Sequence, residues 1–184
     1  LIGTDVTGLA PLSAPGRRVH IESGGRLGTN ADGISDSEER NIFAGNIEIS
    51  ESPVTFAGNY VGVGPDGSTL VGSPQLVVTD ASHVIGGTET VERNYLARGV
   101  ELQGASFTTL HNNYIGLLPD GLTGVAGSEL RLSSGAINNQ VGGLISDEGN
   151  VISRIVLTDS GTTGNTIDGN RIGTNGEGTD GLGI

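Results

Sequence analysis

The residues best suited to chemistry in this chain are its carboxylates, and they form two recurring series. The first is a set of acidic pairs: Glu38-Glu39, Glu89 with Glu92, and Asp147-Glu148. Each pair stands just ahead of an Asn that opens an apolar stretch, at Asn41, Asn94 and Asn150. A glycosidase needs two carboxyl groups flanking the scissile bond, one as acid and one as base or nucleophile. Three acidic loops on one face would suit that chemistry, a cation-binding strip, or simply a solvated surface. The second series is Asp5, Asp32, Asp66, Asp120 and Glu177, all in Gly-rich turns. A turn carboxylate with backbone carbonyls suits Ca2+, which takes six to eight oxygens. Each turn supplies one carboxylate, so neighbouring turns would have to cooperate. No complete calcium-loop motif is present, and Asp-Gly in a tight turn needs no metal.

Other reactive types are sparse. His20, His83 and His111 sit at different places in the repeat described below, so they do not converge as metal ligands must. There is no Cys and no Gly-x-Ser-x-Gly elbow. All nine basic residues are Arg. A uronate lyase would therefore depend on Arg as its base, and the arginines are scattered away from any recurring carboxylate cluster. Trp is absent and there are three Tyr, so an aromatic platform for a sugar is thin. Tyr60 and Tyr114 share a repeat position and are expected to stack, for packing before ligand. No catalytic, cofactor-binding or metal-ligating residue is assigned. No cofactor is expected, and Ca2+ is the one ion the turns would suit.

The elements that would hold these residues announce themselves as a repeat. Ile or Val followed by Gly and a polar turn occurs at Ile2-Gly3, Val61-Gly62, Ile115-Gly116 and Ile172-Gly173. A related unit lies between them at Leu27-Gly28, Ile85-Gly86 and Val141-Gly142. In order, these seven apolar positions are 25, 34, 24, 30, 26 and 31 residues apart. Short and long intervals alternate throughout, which defines a two-rung module repeated three times. Alternating strands keep the same register: Val19–Glu22, Leu76–Thr79 and Leu130–Ser133, then Ile47–Ser50, Val100–Gln103 and Ile155–Thr158. Alternate side chains point to opposite faces, so Val, Ile and Leu face inward while His, Glu, Arg and Thr face out. No helical stripe of useful length appears. Stacking such circuits at about 4.8 Å pairs each strand in parallel with its neighbours and gives a rod on the order of 30 Å long. Asn59, Asn113 and Asn170 close the modules and are expected to form one amide ladder; Asn41, Asn94 and Asn150 form a second.

Composition agrees. The chain has 184 residues, enough for one domain spanning 1–184 with a continuous core. It has 33 Gly and 3% aromatics, which favours many tight turns over a helical bundle. The net charge of −12 argues against nucleic acid and against anionic membranes. No apolar run reaches the roughly 20 residues of a membrane span. The chain starts at Leu1 and holds no Met, so it reads as an excised or processed piece of a longer protein.

Asn59-Tyr60-Val61-Gly62, Asn113-Tyr114-Ile115-Gly116, Asn170-Arg171-Ile172-Gly173-Thr174 and Ile85-Gly86-Gly87-Thr88 resemble the right-handed parallel β-helix repeats of large secreted or surface proteins of bacteria and archaea. Segments 62–67 and 116–121 depart from the Gly-Thr-Asp/Asn turn of those repeats. The resemblance implies an all-β solenoid of about six to seven rungs in three two-rung modules, and an extracellular or cell-surface location. It leaves activity open, because the fold serves pectate lyases, polygalacturonases, phage tailspikes and adhesins alike. The expected function is a structural or adhesive segment, self-associating or stacking end to end on neighbouring β-helix segments. The alternative is a carbohydrate-active module acting on a polysaccharide as a lyase or hydrolase.

Overall fold

No strand among the described residues is longer than four residues, so each depends on neighbours to complete its backbone bonds. The computed structural model describes residues 1–12 and 18–184. The chain winds as a parallel β-solenoid, and each circuit lays one strand in each of three sheets. Sheet I stacks β1 (Arg18–Ile21), β4 (Asn46–Ile49), β7 (Leu76–Val78), β10 (Val100–Gln103), β13 (Leu130–Ser133) and β16 (Ile155–Leu157). Sheet II stacks β2 (Gly25–Gly28), β5 (Val54–Ala57), β8 (Val84–Gly86), β11 (Thr109–His111), β14 (Gln140–Gly142) and β17 (Thr166–Asp168). Sheet III stacks β3 (Ile42–Phe43), β6 (Tyr60–Val61), β9 (Tyr95–Leu96), β12 (Tyr114–Ile115), β15 (Val151–Ile152) and β18 (Arg171–Ile172). Six strands per sheet make six circuits, which span about five full turns against the six to seven rungs expected. Ile2 adds one parallel bridge to Phe43 ahead of them. The helical content among the described residues is a single 3-10 turn, Thr90–Glu92.

Register sets the core. Val19, Ile47, Leu76, Val100, Leu130 and Ile155 stack in one inward column of sheet I. Sheet II sends in Leu27, Phe56, Ile85, Leu110, Val141 and Ile167. Sheet III sends in Phe43, Val61, Leu96, Ile115, Ile152 and Ile172. The middle members of each column are fully buried, each contributing about 1.5–3 kcal/mol by leaving water. A smaller cluster forms on the outer face of sheet III, where Val63, Leu118 and Val125 cover Ile42, Tyr60 and Tyr95.

The circuits come in two kinds. At the corner between sheets II and III, odd circuits make long excursions, 29–41, 87–94 and 143–150. Even circuits turn there at once, through Gly58-Asn59, Asn112-Asn113 and Gly169-Asn170. At the corner between sheets III and I the roles reverse. Even circuits send out hairpins at 62–75, 116–129 and 173–182, with 3–12 ahead of the first circuit, while odd circuits turn within two or three residues. One rung adds about 4.8 Å, but stacked layers of chain need about 10 Å. A long excursion therefore fits only at every second rung, and this is the physical basis of the two-rung module.

This changes the meaning of the alternating intervals. The marks Ile2, Val61, Ile115 and Ile172 lie in sheet III, whereas Leu27, Ile85 and Val141 lie in sheet II. Consecutive marks are thus two-thirds and four-thirds of a circuit apart, and neither interval is a rung. The two expected Asn ladders are also one. Asn41, Asn59, Asn94, Asn113, Asn150 and Asn170 follow each other on successive rungs, each Nδ2 donating to the next Oδ1 at 2.9–3.3 Å. The same Oδ1 accepts the backbone N–H of Asn41, Asn59, Asn113 and Asn150, so those residues present a two-donor fork to the rung below.

Candidate functional site

The three acidic loops do occupy one corner of the rod, on circuits one, three and five. Each pair divides its labour. Glu39 accepts the N–H of Asn30 at 2.9 Å, Glu92 that of Glu89 at 3.2 Å, and Glu148 that of Ile145 at 3.3 Å. These three tie down their own loops. Glu92 also faces Arg26 at 3.6 Å, an ion pair across two circuits that no sequence spacing revealed. The other members, Glu38, Glu89 and Asp147, are exposed. They stand on loops two rungs apart, about 9.6 Å, too far to share one ion bound at about 2.3–2.6 Å. Among the described residues no group of three or more His, Cys, Asp or Glu side chains converges on a metal position.

The turn carboxylates are equally committed. Asp66 accepts the N–H groups of Ser68 and Thr69 and both hydroxyls, the Thr69 hydroxyl at 2.6 Å. Asp120 accepts the N–H groups of Leu122 and Thr123 and the Thr123 hydroxyl. In the first hairpin Asp5 plays this part from an earlier turn position, binding Thr7 and Ala10. In the fourth, Asn175 takes it through Thr179, and Glu177 does not. Segments 62–67 and 116–121 therefore build the same hairpin as the other two, with the capping carboxylate moved along by two residues. Asp32 departs from the series, since it lies in the first acidic loop at the opposite corner and caps Ile34.

Chelation tests this assignment directly. Carboxylates filled by their own turns hold the hairpins without an ion, so EDTA is expected to leave the melting temperature within about 1 °C. A drop of several degrees would show that an ion helps to hold them.

Acid should act where EDTA does not. The Thr69 hydroxyl and the N–H groups around it hold the Asp66 carboxyl far below its ordinary value. Asp5 is lowered by the Thr7 hydroxyl, and Asp80 by the N–H of Glu51. For Asp120 and Asp159 burial pushes upward, and the hydroxyl and N–H donors outweigh it. Folded values below unfolded ones mean stability that is present above about pH 4 and lost as the pH falls through the folded values.

His83 covers a separate window. It is fully buried at the corner between sheets I and II, where Nδ1 accepts the Val54 N–H at 3.2 Å and Nε2 donates to the Thr79 carbonyl at 2.8 Å. That pairing requires the neutral ring, and burial lowers its pKa against the pull of Thr79 and Asp80. The unfolded chain binds the proton more readily, so stability is expected to fall as the pH drops below about 6.5. Asn139 and Asn165 occupy the same column on later rungs, with N and Nδ2 of Asn139 both donating to Oδ1 of Asn165. His83→Asn should therefore fold and flatten the stability profile between pH 7 and pH 5, as read from urea midpoints.

The aromatic stack holds three residues, not two. Tyr95 sits between Tyr60 and Tyr114, edge-on to both at 5.1 and 5.4 Å. Arg40 and Arg93 lie over the outer rings at 4.1 and 4.5 Å. Both guanidiniums donate to corner carbonyls, Arg40 to Gly58 and Arg93 to Asn112. Tyr60 is buried under the hairpins and Tyr95 and Tyr114 are half-buried, so the stack serves as packing. The outer face of sheet I carries a network of polar side chains. There Arg18 pairs with Glu48, and Glu129 with both Arg131 and Arg154. Glu101 accepts the Ser133 hydroxyl at 2.8 Å.

Comparison with protein-family models, curated proteins and solved structures finds no match to this chain. No helix is long and apolar enough to cross a membrane among the described residues.

Proposed function

We propose that the chain is a structural or adhesive β-helical segment of a secreted or cell-surface protein, and that it acts by stacking end to end on other β-helical rungs. One observation carries this reading: the polar side chains that recur from rung to rung are spent on the wall itself, the corner Asn residues on one another along the rod and the turn carboxylates on their own hairpins. The acidic side loops then keep neighbouring rods apart laterally through like charge, which favours axial over side-by-side contact.

Sedimentation across a concentration series, with electron microscopy of the same samples, tests the reading. Rods that lengthen at constant width support it. Lateral aggregates of variable width, or turnover of acidic or neutral polysaccharides in a screen, would overturn it.

A further inference from the structure

We infer that Ser50 is a nucleophilic serine that accepts a small acyl group from an activated ester, with His20 as its general base and Glu22 as the residue that orients the ring. The site lies on the outer face of sheet I, where β1 and β4 pair, and it is independent of the stacking proposed above.

The register brings the three residues together. Ile21 and Ile49 are partners across β1 and β4 and pack on the core. The next residue on each rung, Glu22 or Ser50, therefore points outward, as does His20 just before Ile21. The Ser50 N–H continues the ladder to the Ile21 carbonyl at 2.9 Å. Its hydroxyl donates to Nε2 of His20 at 3.4 Å, and Nδ1 of the same ring donates to Oε1 of Glu22 at 3.2 Å. Nucleophile, base and orienting carboxylate thus stand in the order that acyl transfer by serine requires. Ser50 is 30 residues from His20, so no local motif announces the group.

The same outward column shows what sets Ser50 apart. Thr79 and Thr158 direct their hydroxyls to carbonyls of the preceding rung, Ile49 and Leu132, at 3.4 Å. Ser133 donates to the Glu101 carboxylate. Those hydroxyls hold the wall. Ser50 meets an imidazole nitrogen instead, a partner able to take its proton.

Two carboxylates flank the ring and do different work. Glu22 accepts from Nδ1, which fixes the tautomer and leaves the Nε2 lone pair toward Ser50. Glu48 lies 3.5 Å from Nε2 and is itself paired with the Arg18 guanidinium. An acceptor there cannot bond the lone pair, but it attracts the imidazolium once the proton has arrived.

The reaction follows from these positions. Oγ of Ser50 attacks the acyl carbon as its proton passes to Nε2. The bond from that carbon to the leaving oxygen or sulfur breaks, and the proton on Nε2 goes to the leaving group. Water then adds to the acyl-serine, gives a proton to Nε2 that returns to Oγ, and releases the carboxylic acid. The backbone N–H next along the chain, at Glu51, is already given to Asp80 at 3.0 Å. With that donor spent, the developing oxyanion draws on solvent, and the site suits thioesters and aryl esters, whose leaving groups depart readily. Ser50 is 7% exposed, whereas the side chains of His20 and Glu22 are 44% and 58% exposed. The nucleophile sits at the floor of an open face, which favours acetyl over longer or branched acyl groups.

The full chain treated with p-nitrophenyl acetate tests this, with the acetylated positions located by peptide mass spectrometry. Ser50 is expected to label about 100-fold or more faster than Ser134 and Ser160, which are exposed and have no base, in line with the effect of a positioned general base. The rate should rise with pH as the ring loses its proton. His20→Asn should bring Ser50 down to the rate of the reference serines. Glu22→Gln should slow it about tenfold and move the acid limb of the pH profile to lower pH, because the imidazolium loses an anionic neighbour; a purely structural role would leave that limb in place. Urea midpoints of both variants, on an outer face, should match the parent and separate lost reactivity from lost folding. Labelling of Ser50 at the reference rate would overturn the inference. So would labelling undiminished in His20→Asn, or a Ser50→Ala variant that releases nitrophenolate as fast as the parent.

Discussion

Asn113→Ala is expected to destabilise the protein by about 4 kcal/mol, with a correspondingly lower urea midpoint. The side chain is fully buried at the middle of the ladder. Its Nδ2 is shared among the carbonyls of Ile85 and His111 and Oδ1 of Asn150, at 2.8–2.9 Å. Its Oδ1 receives Nδ2 of Asn94 at 2.9 Å. Alanine deletes these bonds together, and buried groups on three rungs each lose a partner; Asn94 Nδ2 keeps the Phe56 carbonyl and Asn150 Oδ1 keeps the backbone N–H of residue 113. Each unpaired buried group costs about 1–3 kcal/mol, more than the net gain of making the bond, because water cannot replace the partner inside the wall. Asn41→Ala supplies the contrast. Its side chain makes one ladder bond, to Asn59 at 3.1 Å, and sits half-buried, so about 1 kcal/mol is expected. Asn113→Asp should be no milder than Ala, since a carboxylate oxygen would confront Oδ1 of Asn150. Equal losses at positions 41 and 113 would mean that the ladder is a run of independent turns and not a cooperative spine.

The ladder also shows what the amino-acid sequence makes legible and what it hides. Positions of Asn and Gly at corners are readable because turn residues are chosen for backbone geometry, and that choice recurs with every module. The inward strands are readable because their period of two is local. Relations between rungs are not local. Asn94 stands 35 residues after Asn59 and 19 before Asn113, so spacing alone groups it with Asn41 and Asn150. Only the lengths of the intervening excursions place it between the other two. Tyr95 was separated from Tyr60 and Tyr114 for the same reason. The conspicuous marks of an apolar residue and Gly belong only to corners that open a long hairpin or a long excursion. The tight corners at Phe43-Ala44, Leu96-Ala97 and Ile152-Ser153 carry no such mark, and half the sheet III strands are muted by their absence. Among the candidate site residues, it is legible that the three acidic loops share one face of the rod. Their internal division of roles was not readable, because a carboxylate that caps a loop and one that faces solvent look alike until the backbone N–H groups around them are positioned. His83 gave no signal at all, since a ring standing in for Asn in a corner column follows no motif.

Gly86→Ala is expected to destabilise the protein severely for a single added methyl group. Gly86 is where an odd circuit leaves sheet II for its long excursion, and it turns with φ at +90°. Gly28 and Gly142 do the same at +95° and +74°. The matching residues of even circuits, Ala57, His111 and Asp168, carry side chains and continue directly into the short corner. A Cβ on Gly86 would lie 1.9 Å from the His111 carbonyl oxygen and 2.9 Å from Oδ1 of Asn113. Both are held in place, the carbonyl by Asn113 Nδ2 and the amide oxygen by Asn94, so relief requires opening the ladder. The positive φ adds about 1–2 kcal/mol of its own. A loss of at least about 4 kcal/mol follows, which lowers the melting temperature by roughly 8–16 °C in a chain of this size. Gly135→Ala separates the two contributions. Gly135 has φ at +81° and nothing within 4 Å of the new methyl group, so it should show the conformational part alone, about 1 kcal/mol or roughly 2–4 °C. Should the two substitutions prove equal, the odd corner must be free to swing outward, and tight rung-on-rung packing could no longer be what spaces the excursions two rungs apart.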